Sequence, residues 1–151
     1  MLLSQLMPAT AAGARALLAA EAARHPYAAR PLELLDAAAA GSAEYRVDVA
    51  GEGDRARGVV VWGLVAGASG AGMVYGVCVD AAARRRGIGR RLLAHALAGL
   101  RAEGARTTFA EVPDDTAVAD LLALLAAAGF REEARVADFY RDGVALLILR
   151  R

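Results

Sequence analysis

Hydrophobic and polar positions change period several times along this chain. Residues 44–50 alternate, with Tyr45, Val47 and Val49 on one face, as in a half-buried strand. Residues 58–66 and 73–79 are short apolar runs separated by Gly67-Ala68-Ser69-Gly70-Ala71-Gly72, which reads as two strands and a turn. Ile88, Leu92, Leu93, Ala96, Leu97 and Leu100 recur at helical spacing, and Gly104 supplies a stop. Ahead of these, Thr10 can cap a helix that His25-Pro26 ends near Arg24, and Pro31 opens a shorter helix to about Ala40. Residues 107–112 predict another strand. Pro113, Asp114 and Asp115 then start a helix with a leucine core, and Gly129 ends it with Phe130 packed back on the last turn. Strands over 131–139 and 144–149 turn at Asp142-Gly143. Helix, helix, three strands, helix, strand, helix and two strands imply an α/β fold, a mixed sheet with helices on its faces.

Composition narrows the function classes. The 151 residues fit one domain, 1–151, large enough for a real core. A net charge of +1 argues against a nucleic-acid partner. All 18 basic residues are arginine, so a Walker phosphate loop, which needs lysine, is excluded. The single Cys78 cannot form an internal disulfide, which favours a reducing, cytoplasmic setting. Residues 58–79 carry no charge, yet the glycine-rich break in the middle speaks for two strands and against a membrane span. No basic region precedes the first apolar residues, so a signal peptide is not expected.

The chemistry concentrates at Arg84-Arg85-Arg86-Gly87-Ile88-Gly89, between an apolar strand and an amphipathic helix. A helix N-terminus presents free N–H groups and roughly half a positive charge. Gly87 and Gly89 let a phosphate approach the main chain, and the arginines add charge-assisted hydrogen bonds. The same glycines echo a dinucleotide fingerprint, but Leu92 stands where its third small residue belongs, and too little chain follows for a doubly wound sheet. His25 and His95 are isolated, so no metal site is expected.

In this setting the segment resembles the GNAT superfamily of acetyl-CoA-dependent N-acetyltransferases, whose signature is Arg/Gln-x-x-Gly-x-Gly/Ala. The resemblance extends from Val77-Cys78-Val79 through Arg90-Arg91-Leu92-Leu93 to Gly129-Phe130, covering roughly residues 57–151. It implies a mostly antiparallel sheet splayed between its fourth and fifth strands and flanked by about four helices. Acetyl-CoA would lie in that splay. The main chain of Val77 and Val79 would hold the pantetheine arm. The amides of Arg85, Arg86, Gly87, Gly89 and Arg90 would surround the pyrophosphate, with the Arg84 side chain outside it. The acceptor would be a small-molecule or peptide amine, and a homodimer is open. Glu111, in Ala110-Glu111-Val112, looks like the base of ribosomal-protein alanine N-acetyltransferases. The tyrosine that many members use to protonate the leaving thiolate is replaced here by Leu125, and Tyr140 is the substitute. Because that tyrosine is missing, a catalytically inactive CoA-binding module is the alternative reading. The family's frequent proline after strand four is Asp80.

Overall fold

The computed structural model describes residues 2–151. It begins with β1 (Leu2–Gln5), α1 (Pro8–Arg24), α2 (Ala29–Ala39), β2 (Arg46–Glu52), β3 (Arg55–Leu64) and β4 (Ala71–Val79). It continues with α3 (Ile88–Ala102), β5 (Thr107–Pro113), α4 (Ala119–Ala127), β6 (Arg131–Arg141) and β7 (Val144–Arg150). The strands form one sheet in the order β1-β2-β3-β4-β5-β7-β6, antiparallel throughout except where β4 runs parallel to β5. The expected mixed sheet and its helical faces are therefore observed. No helix among the described residues is long and apolar enough to cross a membrane.

Helices cover both faces, so the central strands are apolar on both sides. On β3, Val60 and Trp62 face the core beneath α3 and α4, whereas Val59 and Val61 face α1 and α2. Leu92, Leu93 and Leu100 of α3 are fully buried, each contributing about 1.5–3 kcal/mol of burial. Trp62 fits beneath α3 because residue 99 is glycine: a Cβ there would lie 2.5 Å from the indole. Trp62 Nε1–H donates at 2.6 Å to Asp48, a carboxylate on β2 that is buried between sheet and helix. His95 Nε2 of α3 stands 3.6 Å from its other oxygen.

Three local expectations are corrected. The strand β1 had no sequence signal; its four residues are ordered by pairing with β2. Pro113 does not open a helix but ends β5, and a 3-10 turn, Thr116–Val118, precedes α4. Asp115 caps that turn by accepting from the Ala117 amide at 2.9 Å. Thr10 does cap α1, but from inside its first turn, where Oγ1 accepts from the Met7 amide at 3.1 Å.

Candidate active site

The last pair joining β4 to β5 is Val74 with Ala110. Beyond it β4 continues along β3 to Val79, while β5 stays paired with β7 to Pro113. The edge of β4 from Tyr75 onward thus lacks a strand partner on the β5 side. Pro31 at the start of α2 presses against this divergence at Gly76, where a Cβ would lie 2.6 Å from the proline ring. The result is a cleft of about 470 Å³ with Val77 and Val79 on one wall, Glu111 and Val112 on the other, and the glycine turn at one end. Leu121, Leu124 and Leu125 of α4 line it while packing on the core beneath α3; of that helix's leucines only Leu125 is fully buried.

At the turn, Arg85 has φ 63° and Gly87 φ 76°. Left-handed residues alternating with ordinary ones turn successive amides toward one side, which makes an anion-binding concavity. The first amide to bond within the helix is that of Arg91, to Gly87 O at 3.1 Å; among the described residues those from Arg85 to Arg90 have no partner. A Cβ on Gly87 would meet nothing within 4 Å, so the space above it is open. Asp80, standing in for the family's proline, anchors the approach. Its amide donates to Arg57 O at 2.9 Å, a bond proline cannot make. Its carboxylate takes Arg57 at 2.9 Å and the Ala82 amide at 3.2 Å, and these bonds hold it below the usual carboxylate range.

Arg84 lies along the cleft wall. Its Nε donates to Val79 O at 3.2 Å, and its Nη2 approaches Glu21 at 3.5 Å. The Val79 carbonyl is therefore already engaged by a side chain. Glu21 also meets His25 Nε2 at 3.2 Å, so α1 braces the arginine from behind. His25 Nδ1 is buried without a hydrogen-bond partner among the described residues.

At the other end stand Glu111 and the aromatic residues. Glu111 is exposed at the cleft wall and has no ion pair among the described residues. Tyr140 reaches it through an irregularity in β6: Val136 pairs with Leu146 and Arg141 with Val144, so residues 137–140 lie opposite Ala145 alone. Asp138, at φ 53°, closes this bulge by accepting from the Gly143 amide at 2.7 Å. Tyr140 packs edge-on against Tyr27, with centroids 5.2 Å apart. Partial burial, then the Glu111 charge, raise the Tyr140 phenol above its ordinary value. Tyr75 is raised by burial first, then by charges that include Glu111.

One cleft thus gathers Val77, Val79, Arg84, Arg85, Gly87, Gly89, Arg90, Glu111 and Tyr140. Arg86 does not line it. Glu21, His25 and Tyr27 were missed because sequence shows no link between α1 and the rest: Tyr27 Oη donates at 2.6 Å to Asp115, 88 positions away.

Comparison with known proteins accords with this geometry. The sequence profile of the acetyltransferase (GNAT) family matches residues 14–130. The chain belongs to the GNAT acetyltransferase family. No curated protein sequence matches it. Among solved structures, a proposed GNAT-family acetyltransferase from Desulfovibrio desulfuricans is 27% identical, with a TM-score of 0.88 over 99% of this chain and 97% of that one. The aminoglycoside 6'-N-acetyltransferase from Enterococcus faecium is 14% identical, with a TM-score of 0.80 over 100% of this chain and 96% of that one. The ribosomal-protein-alanine N-acetyltransferase from Brucella melitensis is 20% identical, with a TM-score of 0.73 over 100% and 99%. At these identities the last two speak for the fold alone.

Proposed function

We propose that residues 1–151 form a single acetyltransferase domain that moves an acetyl group from acetyl-CoA to a primary amine by direct attack in a ternary complex. The observation that carries this reading is the one cleft joining unpaired amides at Gly87 to Glu111 and Tyr140. The residues present fit the donor. The Gly87 turn is open and unpartnered, the free edge of β4 can pair with an amide-bearing arm as an added strand would, and the arginines suit a diphosphate. When bound, acetyl-CoA supplies an activated acyl group as a thioester.

The chain's own residues do the rest. An alkyl ammonium with a pKa near 10.4 must lose a proton at a cost of about 4–5 kcal/mol at pH 7. Glu111, unpaired at the cleft wall, accepts it directly or through water. Main-chain N–H groups at the splay stabilise the developing charge on the thioester oxygen. Tyr140, held protonated by burial and the Glu111 charge, delivers a proton to the departing thiolate. Leu125 occupies the position of the family's usual tyrosine and is buried, so it leaves Tyr140 as the donor. Cys78 also lines the cleft, but burial pushes its thiol up to about 12, which supports direct attack rather than an acyl-cysteine route. A reducing compartment suits that lone thiol. The test is consumption of acetyl-CoA thioester with a panel of primary amines. Amine-dependent consumption supports the enzyme; tight binding without consumption returns the inactive CoA-binding module.

A further inference from the structure

The acceptor end of the cleft has a composition that selects among amines. Its walls are Tyr27, Ala28, Pro31, Tyr75 and Tyr140. The rings are braced from behind. Tyr75 is packed edge-on by Tyr45 at 5.6 Å and Tyr140 by Phe139 at 5.0 Å, while the Tyr27 hydroxyl is fixed on Asp115. Bracing holds the ring faces in place before any ligand arrives, which lowers the ordering cost of binding.

The carboxylates nearby are mostly spent. Asp115 is taken by Tyr27, by the Ala117 amide and by Arg141 at 2.8 Å. Glu21 is taken by His25 and by Arg84 and Arg24. Asp120 lines the cleft from the first turn of α4. Glu111 is the carboxylate whose charge reaches both Tyr75 and Tyr140, whereas Glu44 reaches Tyr75. One carboxylate that reaches both rings matches one ammonium. A polycation such as a polyamine or an aminoglycoside would bring further charges to a wall of rings, alanine and proline, and desolvating them there is costly. Aromatic faces, by contrast, favour a single ammonium and an apolar body beside it.

The geometry points to an acceptor that is a compact monoamine on an apolar or aromatic carbon body, seated between Tyr75, Tyr140 and Tyr27 with its nitrogen at Glu111. This rests on the acetyltransferase reading above and narrows its substrate class.

The experiment compares 2-phenylethylamine, 2-phenylethanol, spermidine, an aminoglycoside and an alanine-starting peptide. Binding is read by calorimetry with and without acetyl-CoA, and initial rates are taken with acetyl-CoA present. We expect the monoamine to bind and to exceed spermidine, the aminoglycoside and the peptide at least tenfold in kcat/KM. The neutral alcohol should bind at least tenfold more weakly than its amine. Tyr75→Leu should raise KM for the monoamine about tenfold, in keeping with loss of a ring–ammonium contact, and Tyr75→Phe should restore it. Thermal stabilisation by acetyl-CoA shows that each variant is folded. Preference for a polycation or the peptide, no monoamine binding, or a Tyr75→Leu variant with unchanged KM overturns the proposal. Failure of acetyl-CoA itself to bind is a separate outcome that strikes the underlying reading, while calorimetry without acetyl-CoA still decides the acceptor.

Discussion

Val74 lies opposite Ala110 as the last pair between β4 and β5, and the cleft starts at the next residue. The proposed site follows from that divergence. It frees one edge of β4, directs Val77 and Val79 toward the glycine turn, and leaves Glu111 facing open space across from Tyr75. The predictions below address the parts that the divergence brings together.

Gly87 sits at φ 76°, where any other residue costs about 1–2 kcal/mol. Gly87→Val should lose about that much stability and also weaken acetyl-CoA binding at least tenfold, because relieving the strain turns the amides away. Gly67, at φ 80° in the hairpin before β4 and far from the turn, supplies the comparison. Gly67→Val should lose stability without losing affinity, as checked by denaturant titration and calorimetry.

Glu111→Gln removes the proposed proton acceptor without changing side-chain size. Turnover should fall about a hundredfold or more near pH 7. The loss should shrink at high pH, where the free amine is abundant. A pH–rate profile of both proteins checks this, and equal activity across pH would dismiss Glu111 as the base.

Tyr140→Phe should lower kcat about a hundredfold while leaving KM for acetyl-CoA in place. The Tyr140 phenol is raised above the ordinary 10.0 by partial burial and by Glu111, so it keeps its proton to higher pH than a free tyrosine does. Any alkaline loss of activity from this group in the unmodified protein should therefore set in at higher pH than an ordinary phenol would give. Steady-state kinetics over pH 6–10 provide the test.

Trp62→Phe strips the buried Asp48 carboxylate of its 2.6 Å donor. The cost should be about 1–3 kcal/mol at neutral pH. Burial already raises the Asp48 carboxyl, against the lowering effects of Trp62 and His95. Without Trp62 it rises further. A raised folded-state value gives stability that is present below the unfolded value of 3.8 and lost as pH climbs through the folded one. The variant's deficit should accordingly be largest near neutrality and shrink toward acid pH, as urea midpoints across pH will show.

How much of this was legible in sequence depended on how local the cause is. The Arg84–Gly89 turn is local: its positive-φ glycine, its arginines and the helix after it all lie within a few residues. The hairpins turning within residues 67–72 and at Asp142-Gly143 and the helix end at Gly129-Phe130 were readable for the same reason. Asp48 was not, because an alternating strand predicts a solvated face at that position and only α3, arriving from 40 residues later, covers it. The late-helix leucines read as core and do pack on it; that Leu121 and Leu124 also wall the cleft is beyond what periodicity tells. Tyr140 was placed by resemblance; the bulge that directs it, held by Asp138, has no sequence signature beyond Asp142-Gly143. Glu21, His25 and Tyr27 meet the site only through tertiary packing.

The central claim is that a diphosphate-bearing acyl thioester rests on the free amides at Gly87. Thermal unfolding with acetyl-CoA, CoA and NAD at equal concentration tests it most directly. A ligand at about 100 times its dissociation constant stabilises by roughly 2.7 kcal/mol. The account predicts a clear rise in Tm with both CoA species and none with NAD. Equal shifts with all three, or none with acetyl-CoA, would contradict it.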